Sequence, residues 1–336
     1  MPTECRYEFA MTARLTLWSS DQSGIARMRV GKSFRFTVRG RTVRSADTLA
    51  RIRSLAIPPA WERVTVCPNP NGHLQAVGYD ARGRKQYRYH PAFRAKREGA
   101  KFGKLAEFAK ALPRIRCRVK ADLALPGLPK EKVLAAVVAL LDRTHLRVGN
   151  EEYARANKSF GLSTLLDRHV TFTAGTVALN FRGKSGVQHR RVVSDARLAR
   201  IVRACRDLPG QHLFQYRDAD GRVRKVGSAD VNQYIAETTG GSFTAKDFRT
   251  WAGTVRAAAE LAKLPPPESK TGGERAVVGV IRTVAVALGN TPAVCRKSYV
   301  HPRVIAAFQA GELPPARSRR GLSADEMRAR EVLGGG

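Results

Sequence analysis

Cysteine is sparse and scattered. The five residues Cys5, Cys67, Cys117, Cys205 and Cys295 form no CxxC pair and no Cys/His cluster at zinc spacing. That excludes a structural zinc site of the usual kind and leaves buried free thiols in a reducing cytosol as the reading. Long apolar runs are missing too. The longest aliphatic stretch, Val133 to Leu141, is too short to span a bilayer and reads as a buried helix. The opening Met1-Pro-Thr-Glu-Cys-Arg-Tyr-Glu8 carries no apolar signal region, so a cytoplasmic protein without a membrane partner is expected. The third shortage is acid. Asp and Glu number 28 against 60 Lys and Arg, a formal net charge of +32. A chain so poor in acid is built to meet a polyanion, because neutralising phosphates releases condensed counterions. Charge alone says nothing of chemistry, since ribosomal and chromatin-type proteins are basic as well.

What is present reads as globular. Hydrophobic residues make up 43% and charged residues 26% of 336, enough for a real core and about two domains. The first part alternates with period two. Phe34–Val38, Val64–Cys67 and His73–Val77 read as strands, with a short helix at Thr48–Leu55 and a turn at Pro68-Asn-Pro-Asn-Gly72. Tyr79-Asp-Ala-Arg-Gly-Arg-Lys-Gln-Tyr-Arg-Tyr-His-Pro91 interleaves basic and aromatic residues. That pattern suits a surface laid against a nucleic-acid backbone and equally a solvated strand with half-buried tyrosines. The stretch 93–103 reads as a charged connector or a continuous surface helix.

Beyond it the pattern turns helical. Lys130 to Gly149 predicts a strong helix, with Arg147 at its end. Val170–Thr173, Val177–Phe181 and Val187–Val193 predict strands, and the glycine-flanked turn Arg182-Gly-Lys-Ser-Gly186 presents Lys184 at a hairpin tip. Further helices are expected over Asp195–Cys205, Asp230–Ile235, Thr250–Ala262 and Ala276–Leu288, with Pro265 to Gly273 as a loop. From Ala316 onward the sequence reads as exposed helix and a loose glycine tail.

Tyr299 is the most informative residue. It stands in Asn290-Thr-Pro-Ala-Val-Cys-Arg-Lys-Ser-Tyr-Val-His-Pro302, and a phenol can attack a phosphodiester. Upstream, in order, come Arg147 in Leu146-Arg-Val-Gly-Asn150, Lys184, Arg249 in Lys246-Asp-Phe-Arg-Thr-Trp251, and Asn290. Alone, Arg147, Lys184, Arg249 and Tyr299 each have a plainer reading: a helix-end charge, a solvated turn lysine, a simple phosphate contact and a half-buried core tyrosine.

Together the set resembles the active site of the type IB DNA topoisomerases, in their short poxviral and bacterial form. The resemblance covers most of the chain. It includes Gly31-Lys-Ser-Phe34, Ser54-Leu-Ala-Ile-Pro-Pro-Ala-Trp61, Gly72-His-Leu-Gln-Ala76, Asp80 to Tyr89, Leu146 to Tyr153, Lys246 to Trp251 and Lys297-Ser-Tyr-Val-His-Pro302. It implies an α+β fold of two lobes closing around duplex DNA. Residues 1–98 would be a small β-rich DNA-binding domain. Residues 99–336 would be a larger, mainly α-helical catalytic domain with a three-stranded β element. It implies Tyr299 as nucleophile, Arg147 and Arg249 on the non-bridging oxygens, Lys184 as general acid to the leaving 5′-oxygen, and a 3′-phosphotyrosyl link that conserves the bond energy. No ATP, metal or other cofactor is then required, and a nucleoid-associated monomer acting on supercoiled duplex DNA is expected. Gln86, Tyr87, Tyr89, Tyr153 and Lys297 look like further DNA contacts, and His301 is read as structural or as a DNA contact.

One position departs from the family. Many members carry histidine where this chain has Asn290, and asparagine brings a hydrogen bond without charge, a difference of order 1 kcal/mol; a helper role is predicted. Two other readings stay open. A tyrosine recombinase shares the Arg-Lys-Arg-Tyr logic, although recombinases usually carry His where Lys246 stands and a helical clamp where this chain reads as strands. A non-catalytic basic DNA-binding protein would leave plasmid topology unchanged.

Overall fold

Period-two alternation in the first hundred residues becomes a single antiparallel sheet. In the computed structural model, which describes residues 14–241 and 243–334, the chain divides into two units, Met1–Lys101 and Phe102–Gly336. The first unit contains β1 (Ile25–Val30), β2 (Ser33–Val38), β3 (Arg41–Thr42), α1 (Ala46–Ser54), β4 (Glu62–Val66), β5 (Leu74–Tyr79) and β6 (Lys85–Tyr89), and leads into α2 (Pro91–Gly103). The sheet order is β3-β2-β1-β4-β5-β6. Ile25, Val64, Val66 and Ala76 pack with Ile52 of α1, whose first turn is capped by the Ser45 side chain. Gln75 is buried and its amide donates to the carbonyls of Pro70 (2.9 Å) and Gly72 (2.8 Å), while Arg51 donates to its oxygen (2.6 Å). That network fixes the turn before β5.

The second unit is mainly helical, and its centre is α4. In chain order it contains α3 (Leu105–Asp122), α4 (Lys130–Thr144), α5 (Glu151–Asn157), β7 (Val170–Thr173), β8 (Thr176–Arg182), β9 (Gln188–Ser194), α6 (Ala196–Arg206), β10 (Gln215–Arg217) and β11 (Val223–Lys225). These are followed by α7 (Ser228–Thr239), α8 (Ala245–Leu261), α9 (Lys270–Leu288), α10 (Pro292–Tyr299), α11 (Pro302–Gln309) and α12 (Ala324–Val332). Every residue of α4 from Val133 to Leu141 is buried, as befits a helix apolar all round with neighbours on every side. The strands β7-β8-β9 form the expected three-stranded element, and β10-β11 make a further two-stranded ribbon. Among the described residues no single helix is long and apolar enough to cross a membrane.

Several expectations need correction. The helix predicted to run to Gly149 stops at Thr144, because His145 adopts a left-handed conformation at φ 55° and turns the chain; Arg147 therefore lies on an irregular segment past the helix. The loop expected to reach Gly273 gives way to α9 at Lys270, where the Ser269 hydroxyl accepts from Gly272 N (3.1 Å) and caps the helix. The C-terminal helix is not simply exposed. In α12, Glu326, Met327 and Ala329 are buried, and Glu326 accepts from Arg116 (2.8 Å) and from the Trp251 indole (3.2 Å). With Asp142 also bound to Arg116 at 2.8 Å, this network fastens α12 to α3, α4 and α8. Cys67, Cys205 and Cys295 are buried thiols, but Cys117 is exposed on α3, and Cys5 lies outside the described residues.

Candidate active site

The site in the second unit is organised by the end of one helix. No basic residue lies in the last turn of α9, so its carbonyl end has no compensating charge of its own. Gly289, at φ +61°, closes the helix: its N–H reaches Val286 O (3.1 Å) and the next N–H, of Asn290, reaches Ala285 O (2.9 Å). Glycine meets the left-handed requirement at no steric cost, and the paired bonds fix the direction in which Asn290 leaves the helix. Two arginines satisfy the remaining carbonyls. Arg249, on α8, donates to Leu288 O at 2.8 Å, and Arg191, on β9, donates to Ala287 O at 2.7 Å.

Arg249 is only 3% exposed. Its other terminal nitrogen donates to the carbonyl of His145, the residue whose left-handed turn ended α4. Burial, and then the charge of Arg147, bring its guanidinium down to about 10, partly offset by Tyr299; that is still fully cationic at neutral pH. Arg147 is held by its backbone, since its carbonyl accepts from Leu162 N at 2.9 Å. Its side chain donates to Asn290 Oδ1 at 2.5 Å.

Tyr299 completes the cluster. It is the last residue of α10, half-buried, with its ring centroid 5.2 Å from the Arg249 guanidinium carbon. A side chain on Gly253 of α8 would lie 2.5 Å from the Tyr299 carbonyl, so glycine there lets the two helices approach at the tyrosine. Thr254, one residue on, donates to that carbonyl (3.2 Å) and accepts from His301 N (3.1 Å). Burial alone pushes the phenol up; the charges of Arg249 and Arg147, a hydrogen bond from Arg249, and the charge of Lys246 outweigh it, and the phenol lies below the usual tyrosine value. Three buried donors of this cluster, Arg147 Nη1, Arg249 Nε and Asn290 Nδ2, have no acceptor among the described residues. Four of the predicted catalytic residues, Arg147, Arg249, Asn290 and Tyr299, therefore come together.

The fifth stands differently. Lys184 opens a tight turn, Lys184–Gly186, between β8 and β9, with Ser185 at φ 62° and Gly186 at φ 78°. Its side chain is exposed and, among the described residues, makes no hydrogen bond or ion pair. Of the predicted DNA contacts, Lys297 is exposed on the last turn of α10, and Tyr153 sits half-buried in the first turn of α5, where its N–H binds the Asn150 cap (2.8 Å). His301 caps α11, its Nδ1 accepting from Arg303 N at 3.1 Å. Sequence reasoning missed the parts of His145, Gly253 and Thr254. It noted Lys246 without a role, although the i, i+3 spacing to Arg249 on one helix already places both on a shared face.

The remaining candidates lie on β6 of the first unit. Tyr87, 45% exposed, and Tyr89 point to one side of the strand and stack at 6.0 Å, with Phe93 stacked on Tyr89 at 5.5 Å. Gln86 faces the other way and donates to Asp80 at 2.9 Å. Asp80 is held down to about 2, chiefly by its hydrogen bond from Arg84, so Gln86 is anchored to a carboxylate that stays ionised.

Comparison with known proteins finds matches over both units of the chain. The family model described as eukaryotic DNA topoisomerase I, catalytic core, matches residues 90–312, and that for the bacterial DNA topoisomerase IB N-terminal domain matches residues 33–80. The DNA topoisomerase 1B of Acanthamoeba polyphaga mimivirus is 34% identical over 268 residues, 78% of this chain and 80% of the viral protein. The DNA topoisomerase 1B of vaccinia virus (strain Copenhagen) is 21% identical over 232 residues, 68% and 70% of the two chains, and the monkeypox virus DNA topoisomerase I matches to the same extent. A chain that combines this cluster with those matches over both of its units belongs to the type IB DNA topoisomerase family.

Proposed function

We propose that this protein relaxes supercoiled duplex DNA by transient cleavage of one strand. The observation that supports it most is the convergence of Arg147, Arg249 and Asn290 beside the Tyr299 ring, with buried donors that meet no acceptor among the described residues. Buried donors without partners are costly, and the oxygens of a phosphodiester supply the acceptors they lack.

In the forward step the Tyr299 oxygen attacks phosphorus and its proton passes to solvent. A tyrosyl–phosphorus bond forms and the bond to the 5′-oxygen breaks. Lys184 gives a proton to that oxygen, leaving a 5′-hydroxyl and a neutral amine. Arg147 and Arg249 hold the non-bridging oxygens, where charge grows, and Asn290 adds a neutral hydrogen bond. Strand swivelling follows. The 5′-hydroxyl then gives its proton back to the Lys184 amine and attacks the 3′-phosphotyrosine; the bond to Tyr299 breaks and its oxygen regains a proton from solvent. One bond is exchanged for another of like energy in each direction, so the cycle draws on no ATP, and the guanidinium charges serve where a divalent cation otherwise would.

Lys184, exposed on its turn, swings in after DNA arrives. Tyr87, Tyr89, Tyr153 and Lys297 touch the backbone near the cut, and Gln86 does so once released from Asp80. The whole catalytic set comes from one unit of one chain, which supports action as a monomer, and the charge of +32 fits a cytoplasmic place on the nucleoid. Relaxation of supercoiled plasmid in EDTA without ATP tests the reading: wild type relaxes the plasmid fully and Tyr299→Phe leaves it supercoiled. Full relaxation by Tyr299→Phe would end it.

A further inference from the structure

One buried histidine touches both halves of the proposed machinery. His189 is the second residue of β9, 4% exposed, with its ring 5.3 Å from that of Phe181, its partner across the hairpin. One edge of the imidazole lies against Gly183, the residue before Lys184: a methyl there would stand 2.5 Å from Cδ2 and 2.7 Å from Nε2. The opposite edge lies against Gly289, the residue before Asn290, where a methyl would stand 2.6 Å from Cε1 and 3.5 Å from Nδ1. Gly289 needs glycine for its φ of +61° in any case, but Gly183 has φ −96°, open to any residue. The glycine at 183 is therefore explained by the ring beside it and not by its backbone.

We propose that His189 is a positioning residue, a wedge between the Lys184 turn and the Asn290 turn that seats the general acid relative to the phosphate-holding cluster. Its neighbours suit a neutral wedge. Burial, with the charges of Arg191, Arg147 and Arg249, holds the imidazole down to about 4, so it adds no further positive charge to a cluster already rich in it. The base of the Lys184 turn is anchored through this contact and through the Gly183 N–H, which binds Val187 O at 2.8 Å, while the Lys184 side chain beyond it is exposed. A shift of the seat by a methyl's width misplaces the lysine proton and leaves the arginines where they are.

This inference rests on the reading of Lys184 as general acid, and one experiment separates the two. Single-turnover cleavage is measured on two duplexes, identical except that the scissile 5′-oxygen is replaced by sulfur in one. A thiol near pKa 8.5 leaves without a proton, whereas an alkoxide needs one. Lys184→Ala is expected to lose roughly 10²–10⁴-fold on oxygen and to recover on sulfur. His189→Ala and Gly183→Ala are expected to lose about ten- to a hundredfold on oxygen and to recover on sulfur as well. Gly183→Ala presses the same contact from the other side without disturbing its own backbone, so the test survives a His189→Ala protein that folds poorly. In the double variant the two losses should not add, because the added methyl then meets no ring. Equal losses on both substrates, or none, would overturn the role of His189 while leaving that of Lys184 intact. Failure of sulfur to restore Lys184→Ala would overturn both.

Discussion

The arginine cluster and the Lys184 turn sit in the same unit and are held in opposite ways. Arg249 is buried, bonded to the carbonyls of His145 and Leu288, and packed against the Tyr299 ring. Arg147 is bonded to Asn290. Lys184 is exposed on a turn that needs two left-handed residues, with its side chain unpaired among the described residues. Groups that stabilise developing charge work best when already fixed, since no reorganisation is then needed during the reaction. A proton donor gains from entering late: a lysine fixed beside the phenol before DNA binds would add its charge to a cluster that already repels it.

That contrast can be broken most sharply at the lysine. Lys184→Ala should reduce DNA cleavage by roughly 10²–10⁴-fold, yet shift the melting temperature by no more than about 2 °C, because an exposed turn lysine contributes little to folding. Arg249→Ala should lose both. Cleavage should fall by roughly 10²–10³-fold, and stability by about 1–3 kcal/mol as the carbonyls it serves lose their donor. If paired calorimetric and single-turnover measurements found Arg249→Ala as stable as Lys184→Ala, the difference between a buried, bonded group and an exposed one would disappear. Asn290→Ala should cost about tenfold, the worth of one hydrogen bond to a charged oxygen, and a wild-type cleavage rate would remove its helper role.

The smallest effect concerns the frame next to Tyr299. His301 is held down to about 4, first by burial and then by Arg303, against 6.5 for a free histidine. Between those values the unfolded chain binds the extra proton, so stability falls as pH drops from 6.5 to 4. Protonation also removes the Nδ1 acceptor that caps α11. His301→Asn retains a capping acceptor without the titration, so its melting temperature should decline less steeply over that range. Parallel slopes for the two proteins would contradict the assignment.

Much of this was legible in the sequence, for reasons that differ by residue. The strands around Phe34, Val64 and His73 follow from alternation, the α4 core from its unbroken apolar run, and the Lys184 turn from its flanking glycines. Tyr299, Arg147, Arg249 and Asn290 were found through resemblance; spacing alone could not have brought together residues so far apart in the chain. What stayed hidden depends on tertiary context. A left-handed histidine ends α4 where the sequence suggested glycine. The burial of Glu326 depends on Arg116, some two hundred positions away. Gly253 looks like a helix flaw until the Tyr299 carbonyl is placed against it, and His189 reads as an ordinary strand residue until both of its glycines are in view.

The central claim is that the Tyr299 oxygen becomes the covalent link. It is tested most directly by trapping the protein on a duplex whose cleaved strand diffuses away, then digesting the adduct and identifying the modified peptide. The account predicts a single adduct, a 3′-phosphate on Tyr299, absent from Tyr299→Phe. An adduct on another residue, or an undiminished adduct with Tyr299→Phe, would contradict it.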